Sequence, residues 1–306
     1  MSIGVGVQLP QTTEQATAAG LLDAARAAEA AGLDSVSVTE RVLWPVAPVT
    51  LPDGSEGTAP AHQTTLYDAL ETLSAVSAVT ERIDLITAIV GILFQSPAIL
   101  ARRVATVDQF SGGRLLLGVG QAWMAEEFEA THVNRRWRGN GYEENVAALR
   151  ALWGPDPVSF DGRFYKIPET YYGPKPVRPG GVPILAGVGN QAGIDRAIRF
   201  ADGWLPVTGD TSTWAGTEVH LGALAQAADD AGRERLPIRL RAHTIVTERP
   251  LEGERIPLSG TIEQIAQDAA RLEALGVVEV CLNQTQRGVP FDEQLDAAVR
   301  LKETIG

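Results

Sequence analysis

The sequence has a single cysteine, Cys281, so no intrachain disulfide is available and the expected compartment is the reducing cytoplasm. Its place in Val277-Val278-Glu279-Val280-Cys281-Leu282 makes it a core strand residue ahead of a nucleophile. Histidine is nearly as sparse. His62, His132, His220 and His243 are far apart and none falls in His-Glu-x-x-His or another metal-ligand spacing, so no metal site is expected. There is no Gly-x-Ser-x-Gly elbow and no Gly-x-x-x-x-Gly-Lys-Ser/Thr loop, which removes the main support for a hydrolase or an NTPase. No apolar run approaches the roughly 18 residues of a membrane span. The start Met1-Ser2-Ile3-Gly4-Val5-Gly6 lacks the basic residues of a signal peptide. Basic residues are outnumbered, 26 against 38 acidic, for a net charge of -12, so no basic stripe exists to release counterions from phosphates. Arg135, Arg136 and Arg138 read as a solvated loop edge, and neither nucleic acid nor a membrane is expected as a partner.

What is present is a chain of 306 residues, 44% hydrophobic and 21% charged, enough to bury a sizeable core without requiring two domains. Short β-branched runs alternate with longer helical patterns. Strands are expected at Ile3–Leu9, Leu33–Thr39, Ile83–Val90, Arg114–Val119, Val182–Ala186, Trp204–Val207, Ile238–Thr247 and Val277–Leu282. Helices are expected at about Glu14–Ala31, Leu66–Val79, Pro97–Phe110, 125–153, Gln191–Ala201, Thr213–Ala231, Thr261–Leu275 and Phe291–Ile305. Gly32 supplies a helix stop and Pro97 a favoured first-turn residue. Eight strands alternating with eight helices fit an α/β fold of the (β/α)8 TIM-barrel type over 1–306 better than a doubly wound sheet. A long loop, Glu40–Thr64, follows the second strand on the barrel face that carries chemistry. A hairpin insertion separates strands four and five, with Asp161-Gly162 as its expected tight turn.

Two glycine-bearing strand ends are the candidate ligand sites. In Leu115-Leu116-Leu117-Gly118-Val119-Gly120-Gln121-Ala122-Trp123, a run buried on both faces breaks into small residues. Gly118 and Gly120 would clear the way for a flat cofactor that Trp123 walls; the plainer alternative is relief of crowding in a core. In Gly187-Val188-Gly189-Asn190-Gln191-Ala192-Gly193 a strand turns into a helix whose N-terminus could face a phosphate. A dinucleotide fingerprint fits less well, because the third glycine is one residue off and no acidic residue ends the next strand before Asp210. On strand three, Ala88 and Gly91 interrupt bulky neighbours where a ring could lie, or where facing helices fill the gaps.

With these pieces in hand, the chain resembles the bacterial-luciferase-like flavin and deazaflavin (coenzyme F420) oxidoreductases over nearly its whole length. The resemblance rests on the segment from Ala101 to Arg114 leading into Gly118-Val119-Gly120. It is supported by Phe160-Asp161-Gly162-Arg163-Phe164-Tyr165, Gly173-Pro174-Lys175-Pro176, Pro183-Ile184-Leu185 and Ala201-Asp202-Gly203-Trp204-Leu205-Pro206. It implies a (β/α)8 barrel with coenzyme F420, or alternatively FMN, across its C-terminal mouth. Ala88 and Ile89 match the family's non-prolyl cis peptide behind the ring. Gly120, Gln121, Ala122 and Trp123 match the cofactor-contacting strand end, where the family more often has glycine in place of Ala122. Gly187, Val188, Gly189 and Asn190 match its phosphate turn. Where many F420-using members have Asp-His, this chain has Glu40-Arg41. Glu40 can keep the acidic role, whereas Arg41 stays charged and could steady a reduced ring or an acidic substrate, or simply pair at the surface.

The implied activity is an F420-dependent hydride transfer to or from a small organic substrate held under the Leu43–His62 loop. Trp44, Phe94, Trp123 and Trp204 would form the pocket walls. A reduced-FMN monooxygenase is the near alternative, and a non-catalytic flavin-binding protein the alternative from another class. The expected partners are a small-molecule substrate, a second copy of the chain docked through helices two and three, and a separate cofactor reductase.

Overall fold

The computed structural model describes residues 3–12, 16–51, 54–58, 63–209 and 211–306. In chain order its elements are β1 (Gly4–Gln8), α1 (Ala18–Ala30), β2 (Ser35–Val38), β3 (Val49–Thr50), β4 (Glu56–Gly57), α2 (Ala69–Ser77), β5 (Asp84–Thr87), β6 (Val90–Gly91), α3 (Pro97–Ser111) and β7 (Leu115–Gly120). They continue with α4 (Ala125–Ala130), α5 (Asn140–Trp153), β8 (Val158–Asp161), β9 (Lys166–Thr170), β10 (Ile184–Ala186), α6 (Gln191–Ala197), β11 (Gly203–Trp204), β12 (Val207–Thr208), α7 (Trp214–Asp230), β13 (Ile238–His243), α8 (Ile262–Ala274), β14 (Val277–Asn283) and α9 (Phe291–Ile305).

Parallel pairing runs β10-β11-β13-β14-β1-β2-β5-β7, and β7 then pairs with β10. The sheet therefore closes into a (β/α)8 barrel with the helices outside, as the alternation of patterns implied. Local chemistry explains the helix ends. Thr17 caps α1, Asp68 caps α2 through two backbone N–H groups, and α3 opens on Pro97 and stops at Gly112, whose φ is 67°. Thr261 and Gln264 form a reciprocal capping box on α8.

The barrel interior is divided. One half is lined by Ile86, Leu116, Leu185 and Leu205, an apolar cluster separate from the larger core under the helices. The other half is polar, because Arg239 and Arg241 alternate along β13 with Leu240 and Ala242, which pack into that outer core. Arg239 reaches Glu279 on β14 and, at 3.2 Å, Asp84 on β5; β5 is not adjacent to β13, so this contact spans the lumen. Ser35 donates to Glu279, and Ser37 and Cys281 lie 3.1 Å apart across β1. Burial pushes the Cys281 thiol up to about 12, which fits a packing role.

Several boundaries depart from the sequence reading. The 125–153 region is two α-helices with a single 3₁₀ turn, Arg135–Trp137, between them. Strand six is two short pieces, β11 and β12. The insertion is a hairpin, but its turn is not a tight Asp-Gly one. Asp161 pairs with Lys166, leaving a four-residue loop, and Gly162 has no positive φ. The Glu144 carboxylate accepts the N–H groups of Arg163, Phe164 and Tyr165, and a Cβ on Gly162 would sit 2.1 Å from Glu144 Oε1. Close approach of that carboxylate is what asks for glycine. The expected start of helix one at Glu14 lies outside the described residues, as do His62 in the long loop and Asp210. No helix among the described residues is long and apolar enough to cross a membrane.

Candidate active site

The chain after β5 does not run straight on into its loop. The Ala88-Ile89 peptide is cis, at the place the family resemblance assigns to such a bond. Ala88 N–H donates to Val38 O at 2.6 Å, and Arg241 Nη1 donates to Ala88 O at 2.9 Å, so the bulge is tied to β2 on one side and β13 on the other.

The glycines of β7 make room for this bulge. A Cβ on Gly118 would lie 1.9 Å from Thr87 O, and one on Gly120 would lie 1.9 Å from Ile89 Cδ1. The expectation that these two glycines stand clear for a cofactor is therefore corrected, since the protein's own backbone and the Ile89 side chain take that space. Ile89 also packs toward Gly187, where a Cβ would be 3.1 Å from its Cδ1. Gly187 N–H donates to Val119 O at 2.9 Å, which holds the β7 and β10 ends side by side.

Above the bulge is a cleft of about 200 Å³, lined among others by Glu40, Arg41, Ala88, Ile89, Phe94, Ala122, Trp123, Glu127 and Arg241. Seven of those nine are residues the sequence singled out. Glu40, just past β2, accepts the Gly91 N–H on Oε2 at 2.6 Å. Burial is the main influence on its carboxyl and pushes the pKa up to about 7, with Asp68 and Glu127 adding to the rise and the Gly91 bond opposing it. Arg41 is held rather than free. Its Nη1 pairs with Glu127 Oε2 at 2.9 Å, and Glu127 Oε1 accepts the Val42 N–H at 2.7 Å. The guanidinium lies 5.0 Å from the ring centres of both Trp44 and Trp123, which meet edge-on at 6.1 Å. Trp44 Nε1 donates to Gln63 Oε1, and Phe94 packs edge-on against Phe128 at 5.0 Å.

Ala122 has φ 54°, in the left-handed region, a backbone that glycine adopts more readily and that alanine accepts here. Gln121 turns away from the cleft: its Oε1 accepts the Gly139 N–H at 2.9 Å, tying the β7 end to the start of α5. At the second glycine turn, Asn190 Oδ1 accepts Gly193 N–H at 2.9 Å and caps α6, while Val188 packs on the core and Gly189 faces open space.

Trp204 is not a wall of this cleft. It is 1% exposed and sits with Leu221, Leu224, Ile238 and Leu275 under the helices. The reason is strand parity: Leu205 faces the lumen, so its neighbour faces outward. The sequence reading also missed two cleft residues, Glu127 and Arg241. Arg239-Leu240-Arg241-Ala242-His243 carries a legible signal, because charge at every second position of a barrel strand puts cations inside and the last ones at the mouth.

A (β/α)8 barrel whose mouth gathers an acid, a caged arginine and an aromatic pair around a bulged strand end has the site of a barrel enzyme. The chain belongs to the luciferase-like monooxygenase family, whose model matches residues 1–271. It is 34% identical over 218 residues to a protein of Mycobacterium tuberculosis (strain ATCC 25618 / H37Rv), covering 70% of this chain and 75% of that one. It is 32% identical over 260 residues to the F420-dependent glucose-6-phosphate dehydrogenase of Nocardia farcinica (strain IFM 10152), covering 80% and 71%. Over 150 residues it is 33% identical to the FMNH(2)-dependent dimethylsulfone monooxygenase of Pseudomonas putida, covering 47% and 40%. The crystal structure of a monooxygenase from Streptomyces bottropensis superposes with a TM-score of 0.77 at 18% identity, covering 98% of each chain. That last likeness is one of fold.

Proposed function

We propose that the protein is an F420-dependent oxidoreductase that moves a hydride between the deazaflavin and a small organic substrate. The observation that carries this reading is the Glu40 carboxyl, buried at the mouth beside the cis Ala88-Ile89 bulge and poised to change protonation near neutrality. The longer match, 80% of the chain, to an F420-dependent dehydrogenase supports the choice of deazaflavin.

The residues present fit such a group. Two buried polar atoms of cleft-lining arginines, Arg41 Nε and Arg241 Nε, have no partner among the described residues, and Gly189 opens the phosphate turn to space. Ala88, Ile89 and Ala122 would hold the ring, with Gly187, Val188, Gly189 and Asn190 on its phosphorylated tail. When bound, the deazaflavin supplies hydride donation and acceptance.

The protein supplies position and a proton. Because Glu40 Oε2 receives the Gly91 N–H, the proton of the neutral carboxyl resides on Oε1. For a carbonyl–alcohol couple, Glu40 gives that proton to the oxygen when the carbon gains hydride, and takes it back in the reverse direction. Trp44, Phe94 and Trp123 exclude water from this exchange. Arg41, neutralised by Glu127, orients the aromatic pair. A homodimer docked through α3 is part of the same proposal: Ile99 and Phe110 are 60% and 64% exposed and lie eleven positions apart, three helical turns, on one face.

The match to an FMNH(2)-dependent monooxygenase favours the second reading, a reduced-FMN monooxygenase served by a separate reductase. Titration of the purified protein with F420 and with FMN separates the two. Micromolar binding of F420 and substrate-dependent turnover of its reduced form are expected; binding of FMN alone would overturn the F420 assignment.

A further inference from the structure

Arg241 is the one cation of the cleft that no carboxylate balances among the described residues. Arg41 is paired with Glu127 across the cleft, and Arg239, one turn of the pleat below, is shared between Glu279 and Asp84. The neighbour of Arg241 across the β13–β14 register is Cys281, a neutral thiol, and the Glu40 carboxyl is engaged by the Gly91 N–H. Nη1 of Arg241 is spent on Ala88 O at 2.9 Å, and its buried Nε has no partner. Burial draws its pKa below the usual guanidinium value, because the surroundings solvate the charge poorly. A cation desolvated in this way is stabilised by an anion, and the open side of Arg241 is the cleft.

On the reading given above, the ligand in that cleft is a ring that alternates between an oxidised form and a more electron-rich reduced form. We propose that Arg241 is a positioning residue that biases the cleft toward the reduced, negatively charged ring. It does so through its own charge and through the Ala88 carbonyl dipole it fixes behind the ring. Its bond to Ala88 O also ties the bulge to β13, so the charge effect has to be separated from a purely structural one.

The test measures dissociation constants of oxidised and dithionite-reduced F420 and FMN by anaerobic fluorescence titration of the wild type, R241K and R241M. Wild-type protein is expected to bind the reduced form of its cofactor at least tenfold more tightly than the oxidised form. Each tenfold raises the two-electron midpoint potential of the bound cofactor by about 30 mV over the free one. R241M is expected to erase that preference, and R241K to retain it within about threefold. Equal loss of both forms in R241M, or a wild type that prefers the oxidised form, would overturn the inference; the latter is readable even where R241M does not fold. A wild type that binds neither cofactor removes the functional reading, and this inference with it, before any variant is needed.

Discussion

Glu40 shows how one residue can trade stability for chemistry. Its folded pKa of about 7 lies above the ordinary carboxylate value, so the folded state holds a proton that the unfolded chain has released. Stability contributed at this site is present at low pH and is lost as pH rises from about 4.5 toward 7. E40Q keeps the Gly91 hydrogen bond and cannot ionise, so above pH 7 it should melt at a higher temperature than the wild type, with the gap closing by pH 5. Calorimetry across that range checks it. The same substitution should lower kcat by about 10²–10⁴ and abolish the limb of the pH–rate profile near 7, measured with whichever substrate gives turnover. Glu127 makes the opposite case. Its side chain is 3% exposed and it answers both Arg41 and Val42 N–H, so E127A leaves a half-buried guanidinium unpaired. A loss at the lower end of about 3–5 kcal/mol is expected in denaturant unfolding, because Arg41 retains some solvent. Glu40 and Arg41 were marked as site residues by the family resemblance, and their place just past β2 at the chemical face of the barrel agrees with it. Glu127 was not, because a helix residue 86 positions from Arg41 carries no local mark of whom it meets.

At the scale of elements, the decisive relation is between β5 and β7. The sequence shows small residues at both strand ends, and resemblance placed a cis bond at Ala88-Ile89. Neither showed that Gly118 and Gly120 serve the bulge rather than the ligand, because that depends on which strand leans on which. The two glycines should respond differently to a methyl group. G118A drives Cβ against the Thr87 carbonyl, a backbone atom with nowhere to go, and is expected to cost about 3 kcal/mol or more. G120A meets only the far end of Ile89, so a cost of about 1–3 kcal/mol is expected, and I89A should recover most of it in the double variant. Urea titration of the three proteins and the double variant reads this directly. Full additivity of G120A and I89A would mean that the contact is absent. Parity decided the other misreading. Trp204 was expected as a pocket wall, yet in a strand only alternate residues face the lumen, and a one-residue choice of phase cannot be read from two residues of β11.

For the whole molecule, the fold was largely legible because eight strand periods alternating with eight helical ones are written along the entire chain, and that count fits a closed barrel better than an open sheet. The division of its lumen was less so. An apolar half under β5, β7 and β10 gives the Ala88-Ile89 bulge a dry base, while the charged half from β13 and β14 brings Arg241 to its carbonyl. Side chains of β5, β7 and β10, far apart in sequence, build the apolar half, so no window displays it, whereas the alternation along β13 already marks the charged one. The outer surface bears on assembly in the same way. Ile99 and Phe110 share the exposed face of α3, and the helix is already held to the barrel by Leu100, Ala101, Val104 and Val107, so the two outer apolar side chains are not required for packing within one chain. A second copy covering them would remove that area from water at roughly 25 cal/mol per Å². F110R introduces a charge into such a contact without disturbing the buried face. Sedimentation velocity should therefore show the wild type as a dimer and F110R shifted toward monomer with an unchanged melting curve at low concentration. A wild type that sediments as a monomer at tens of micromolar would show that α3 faces solvent and not a second barrel.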